Sequence, residues 1–196
     1  IHLLGKFSSA TAGRTLKAAI QFFEYAKDCK LILENPFKRL KIPRQTNESN
    51  RYFVDRETAQ KVLDAQTNIQ KKLVFALARY GGLRIPSEVI NLKWEDIDWV
   101  KKRILIHSPK TEHHEGKDKR FIPLFPDLVP ILKEAMELNQ GVSRFVCGKV
   151  RSGSLNLRTG LLKTLKSLGI KPWPKLFVNL RSSRETELVE RFPLHV

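Results

Sequence analysis

The apolar residues of this chain change rhythm twice, and that change limits the fold more than any other feature. Up to about residue 93 they recur at helical spacing, between 103 and 124 they alternate as strands do, and from 128 onward the helical spacing returns. Arg103-Ile104-Leu105-Ile106-His107 and Arg120-Phe121-Ile122-Pro123-Leu124 are strand-like runs on either side of the polar stretch 108–119. Together they predict one antiparallel hairpin with a long tip. The expected fold is therefore mainly α with a small antiparallel β-sheet, an α+β architecture preceded by a helical fragment.

Ahead of the hairpin, Leu16, Ala19, Ile20, Phe23 and Ala26 share one face of a helix over residues 11–30, with Lys17, Glu24 and Lys27 turned elsewhere. That helix should stop by Asn35-Pro36, because proline restricts the residue before it and offers no N–H. Residues 41–51 are polar, contain Pro43 and lack an apolar period, so they read as a linker between a helical fragment, 1–47, and a main domain, 48–196. Ala59, Val62, Leu63 and Gln66 fit a helix, and the run 73–78 reads as a buried one stopped by Gly81-Gly82. A third short helix is expected from about Ser87 to Lys93. Beyond the hairpin, Leu128, Ile131, Leu132, Ala135 and Leu138 keep helical spacing, as do Leu157, Leu161, Leu165 and Leu168, closed by Gly169. A final helix should begin near Asn179, after Lys171-Pro172-Trp173-Pro174.

Charge narrows the partner. Lys and Arg number 36 against 20 Asp and Glu, a net charge of +16 and a pI near 10.1. Such an excess repels itself in a compact fold unless a polyanion lies against it, and double-stranded DNA is the first candidate. A membrane is not expected, since no stretch approaches the ~20 uninterrupted apolar residues of a spanning helix. Lys6, Arg14 and Lys17 interrupt the place where a signal peptide would be apolar. Cys29 and Cys147 are distant in sequence, which favours a reduced compartment over a disulfide scaffold. The expected location is the cytoplasm, on DNA.

Residues 80–98 carry the first chemical signal. A buried helix, a Gly81-Gly82 break, Arg84 at the turn and a new amphipathic segment with Glu88, Leu92, Trp94 and Asp96-Ile97-Asp98 would hold a guanidinium partly buried and pre-positioned. A planar fork of donors held in this way suits two oxygens of a phosphate. This stretch resembles the first arginine segment of the tyrosine recombinases, the phage-integrase family. By that resemblance Arg84 matches the first catalytic arginine and Glu88 the supporting acid. The acid stands four residues after the arginine rather than the commoner three, so Ile85-Pro86 reads as a one-residue insertion.

Two further segments extend the resemblance. The hairpin, with Ser108-Pro109-Lys110-Thr111 at its start and Lys119-Arg120-Phe121-Ile122-Pro123-Leu124 at its end, is similar to the family's β-hairpin. Lys110 then matches the lysine that protonates the leaving 5′-oxygen, with Lys117 and Lys119 as competitors. Lys117, Lys119 and Arg120 are otherwise candidate DNA contacts. The segment 175–184 resembles the family's second arginine segment, with Arg181 as the second phosphate-clamping arginine and Arg184 in support. Val178 stands where a histidine is usual and cannot exchange a proton, which makes Asn179 the nearest polar substitute.

The resemblance implies a tyrosine-recombinase-like catalytic domain preceded by the end of a core-binding domain, with Tyr25-Ala26-Lys27 and Asn35-Pro36-Phe37 carrying the latter. It also implies DNA cleavage and rejoining through a 3′-phosphotyrosyl link, without cofactor or metal, in a full-length protein that self-associates on DNA as a tetramer. Tyr25, Tyr52 and Tyr80 all precede Arg84 and match no nucleophile position. The expectation is a chain that ends before its nucleophile, leaving none within it. Two rivals stay open: an architectural DNA-binding protein without catalysis, and a metal-dependent nuclease built on His107, Glu112, His113, His114 and Glu115.

Overall fold

The computed structural model describes residues 5–43, 48–108, 118–151 and 156–192. The chain divides into two compact units, Ile1–Asn50 and Arg51–Val196.

In the first unit helix α1, Ser9–Asp28, starts at Ser8, whose hydroxyl accepts the Thr11 amide at 3.4 Å. Its expected apolar face is the less exposed one. Phe23 meets the Phe37 ring at 5.0 Å, and Asn35 folds the following turn back by donating to the Ile20 carbonyl and to Glu24, each at 2.9 Å.

The second unit is built round one helix. Helix α2, Arg56–Asp64, is capped by Asp55, which accepts the Thr58 amide at 2.7 Å. Helix α3, Ile69–Arg79, is capped by Asn68 and buries every residue from Leu73 to Arg79. A helix that is apolar all round must lie inside, and each fully buried Leu or Phe contributes roughly 1.5–3 kcal/mol. Three strands follow: β1, Ile97–Asp98; β2, Arg103–His107; and β3, Lys119–Pro123, paired antiparallel in the order β1-β2-β3. Helices α4, Val129–Asn139, α5, Gly148–Arg151, α6, Leu157–Ser167, and α7, Leu176–Arg191, complete the unit. Both α4 and α7 pack against α3. The architecture is the expected mainly helical fold with a small antiparallel sheet.

Strand parity decides which hairpin side chains face inward. Ile104 pairs with Ile122 and Ile106 with Arg120, and the isoleucines of β2 are fully buried. Arg120 therefore lies on the inner face beside Ile122, while Lys119 and Phe121 point outward.

One expected element is absent. Residues 85–91 form a series of turns instead of a helix, with Glu88 N–H donating to the Arg84 carbonyl at 3.0 Å and Ile90 N–H to Pro86 at 3.1 Å. Pro86 disfavours the α conformation at Ile85, so the bonds from Glu88 and Ile90 remain isolated turns and do not join into a regular ladder.

Candidate functional site

Arg84 owes its place to two glycines. A Cβ on Gly81 would lie 2.8 Å from the Leu77 carbonyl oxygen and 2.9 Å from a Leu83 methyl, so only glycine fits. Gly82 adopts φ +68°, in the left-handed region. The chain thus leaves α3 in a tight turn that seals Leu83 in the core and brings Arg84 out half-buried, its side chain 33% exposed.

The carboxylate that holds Arg84 belongs to Glu88. Arg84 donates its backbone N–H to Oε2 at 2.8 Å and its Nη1 to Oε1 at 2.7 Å. Arg120, from the inner face of β3, donates Nη1 to Oε1 at 2.7 Å and Nη2 to Oε2 at 2.8 Å, a bidentate grip. The buried Ser108 hydroxyl donates to Oε1 at 2.9 Å. Burial alone would raise the Glu88 carboxyl. The hydrogen bonds from Arg120 and from the Arg84 amide, with the charge of Arg120, outweigh it and hold the carboxyl at about 2, against an ordinary 4.5. Two guanidiniums face one carboxylate, so the cluster keeps one positive charge in excess at a surface open to solvent.

A second such cluster lies along α7. Leu176, Leu180, Ser183, Arg184 and Glu187 form its buried stripe. Glu187 receives Nη1 of Arg79 at 3.2 Å and Nη2 at 2.5 Å, Nη1 of Arg184 at 3.2 Å, and Nη2 of Arg56 at 3.4 Å. Arg79, without exposed surface, also donates to the Val54 carbonyl, and Arg184 stacks on Phe125 at 4.1 Å. Desolvation lowers the Arg184 guanidinium. Desolvation would likewise raise Glu187, but its hydrogen bond from Arg79 and the surrounding charges bring it below its usual range. Neither Arg79 nor Glu187 stands out in the sequence. The available signal is the polar triplet Ser183, Arg184, Glu187, which continues the helical spacing of Leu176 and Leu180.

Other expected site residues distribute as follows. Arg181, one turn before Arg184 on α7, is a quarter exposed and donates Nε to Glu185 at 2.7 Å. The two arginine segments meet one turn further on, where a Cβ on Gly82 would stand 3.9 Å from Cγ of Arg184. Asn179 is turned inward: its amide donates to the Pro174 carbonyl and its carbonyl oxygen accepts the Tyr52 N–H, while Val178 is exposed. Lys119 lies 4.0 Å from Asp118 at the surface. Lys110 and Lys117 fall outside the described residues, as do Glu112, His113, His114 and Glu115 of the metal reading. His107 faces Asp96 at 3.2 Å. Among the described residues no three His, Cys, Asp or Glu side chains gather as a metal would require. Tyr80 is buried, and Tyr52 is stacked on Trp173 at 5.7 Å.

Comparison with known proteins matches residues 53–191 to the model of the phage integrase family. A tyrosine recombinase of Thermosipho africanus is 29% identical over 142 residues, covering 71% of this chain and 48% of the relative. Tyrosine recombinase XerC of Halalkalibacterium halodurans is 24% identical over 195 residues, covering 97% of this chain and 55% of the relative. This chain thus spans about half the length of these curated relatives. Lambda integrase, solved as a dimer bound to a COC′ core site, superposes with a TM-score of 0.74 at 17% identity, over 97% of this chain and 71% of that one. The Tn1549 transposon integrase, solved with transposon right end DNA, gives 0.73 at 17% identity, over 95% and 69%.

Proposed function

This chain belongs to the phage integrase family, and on that premise we propose that it binds duplex DNA and grips one backbone phosphate with Arg84 and Arg181, within a recombinase that cuts and rejoins DNA strands. The observation that carries the reading is the Glu88 cluster. A buried carboxylate binds the backbone and the side chain of Arg84 at once, and Arg120 covers both of its oxygens. Arg84 therefore cannot swing away to solvate itself, and its remaining donors face solvent in a fixed plane. An architectural DNA-binding protein has no use for an arginine restrained in this way; a phosphoryl-transfer site does, because donors fixed in advance need no rearrangement as charge develops.

In the reaction proposed for the whole protein, a tyrosine oxygen attacks phosphorus and the bond to the 5′-oxygen breaks. The leaving oxygen takes a proton, from Lys110 in our assignment, and a 5′-hydroxyl later reverses the step. Arg84 and Arg181 meet the added negative charge on the non-bridging oxygens. Bond energy passes into the phosphotyrosyl link, so the residues named need no nucleotide cofactor. We place the nucleophile outside Tyr25, Tyr52 and Tyr80, and the tetrameric assembly in the full-length protein.

These 196 residues should bind labelled duplex DNA with a steep salt dependence and retain no label after denaturation. In the full reading frame Arg84→Ala should lower strand cleavage by about 10²–10³ while leaving much of the affinity. Cleavage at the wild-type rate by Arg84→Ala, or label retained by the 196-residue chain, would refute the assignment.

A further inference from the structure

Ser108 also lines a cleft of about 370 Å³ whose wall includes four basic residues from four segments: Lys93, His107, Arg144 and Arg151. Its floor is rigid. Phe145 forms a bridge with Lys93, Trp94 N–H donates to the Arg144 carbonyl at 3.0 Å, and Val146 N–H donates to the Leu92 carbonyl at 2.9 Å. The segment carrying Arg144 is thereby tied to the end of the Arg84 turns. Both guanidiniums lie against one ring, Arg144 at 5.0 Å and Arg151 at 4.2 Å from the Phe145 centroid. Arg151 is steadied further by the Ile90 carbonyl at 3.1 Å and Asn91 Oδ1 at 2.8 Å, both through Nη1. Among the described residues its Nε and Nη2 make no hydrogen bond, and neither does the Arg144 guanidinium.

Two like charges held on one ring, with no carboxylate between them, gain stability from an anion. The acids nearby do not fill that role. Asp118 lines the cleft but lies half exposed beside Lys119, Glu95 is hydrogen-bonded to Lys93 at 2.9 Å and feels Arg144 only through its charge, and Asp96 is engaged with His107. We infer that this cleft is a second phosphate subsite, which seats a backbone phosphate of duplex DNA near the one held by Arg84. The occupant is a DNA phosphate because the cleft is continuous with the Glu88 cluster through Ser108, which lines the one and bonds the other. Its arginines are also exposed, open to a long polyanion. The inference rests on the DNA-binding reading above and adds where the second contact falls.

The test compares duplex affinity across a salt series for the wild-type chain, for Arg144→Gln with Arg151→Gln, and for Lys93→Gln with Arg144→Gln, with inorganic phosphate as a separate probe. Loss of one phosphate contact should reduce the slope of log K against log salt by about 0.9, and affinity near physiological salt roughly fivefold. Melting checks that each variant is folded; the Lys93 pair leaves the Arg151 bonds intact, so it reports even if the other variant unfolds. Wild-type slopes in both variants, with wild-type DNA binding present, overturn the subsite and leave the DNA reading standing. Absence of wild-type DNA binding overturns both. Stabilisation by inorganic phosphate that the variants lose while their DNA slopes stay unchanged assigns the cleft to a free anion and overturns the inference.

Discussion

Glu88 and Glu187 are each a carboxylate surrounded by arginines, yet they perform opposite tasks. Around Glu187 the side chains of Arg79 and Arg184 are 0% and 6% exposed, and only Arg56, at 44%, reaches in from the surface; around Glu88 those of Arg84 and Arg120 are 33% and 34% exposed. A cluster whose carboxylate and closest arginines are buried fastens helices together, here α3 to α7. An open one keeps donors available to a ligand while fixing where they stand. The same pairing chemistry thus serves as a bolt in one place and as a mount in the other, and solvent access marks the difference.

The largest effect expected from that contrast is at the bolt. Glu187→Ala leaves Arg79 charged, buried and without its carboxylate, and should cost about 3–5 kcal/mol in a urea melt. A loss below 1 kcal/mol would mean that water reaches the cluster and that the contrast is false.

Next comes acid. A depressed carboxyl adds stability that is fully present above its unfolded value and is lost as pH falls through its folded one. For Glu88 that window runs from about 4.5 down to about 2, and at about 1.4 kcal/mol per unit it amounts to up to about 3 kcal/mol. Glu187, shifted in the same direction, adds to the same limb. Glu88→Gln should flatten part of the acid limb of a stability-against-pH curve and leave the part due to Glu187. An unchanged curve would remove Glu88 as a paired anion.

Gly82 stands between the clusters, before Arg84 and against Arg184. Gly82→Ala should cost roughly 1–2 kcal/mol by forcing a side chain into the left-handed region, measured by thermal melting. A stabilising outcome would contradict the turn geometry. The smallest effect belongs to the exposed pair of Arg181 and Glu185: Glu185→Ala should change stability by less than about 0.5 kcal/mol, and because it frees the Arg181 guanidinium it should not weaken duplex binding.

Much of this was legible in the residues. The switch of apolar period placed the sheet among helices, and the Gly81-Gly82-Leu83-Arg84 stretch located the arginine turn. Side-chain facing was harder. From the sequence Arg120 reads as a candidate DNA contact beside Lys119. Its alternation with Ile122 and Leu124 is the signal that it points inward, onto Glu88. The turns at 85–91 look amphipathic and suggest a helix, but with Ile85 held out of the α conformation by Pro86 their bonds do not join into a ladder. Arg79 and Glu187 lie 108 residues apart, and their pairing depends on how α7 is rotated against α3, which no local pattern encodes. Asn179, read as a stand-in for histidine, shares the inner face of α7 with Leu176 and Leu180. Lys110 and Lys117 lie outside the described residues.

The most direct measurement is a structure of the chain bound to a DNA duplex, in which the phosphates nearest Arg84 and Arg181 are identified. Both guanidiniums within hydrogen-bonding distance of the non-bridging oxygens of one phosphate, with Arg84 still on Glu88, is the expected result. Arg84 and Arg181 on phosphates of different nucleotides, or either one turned away from the duplex, would contradict it.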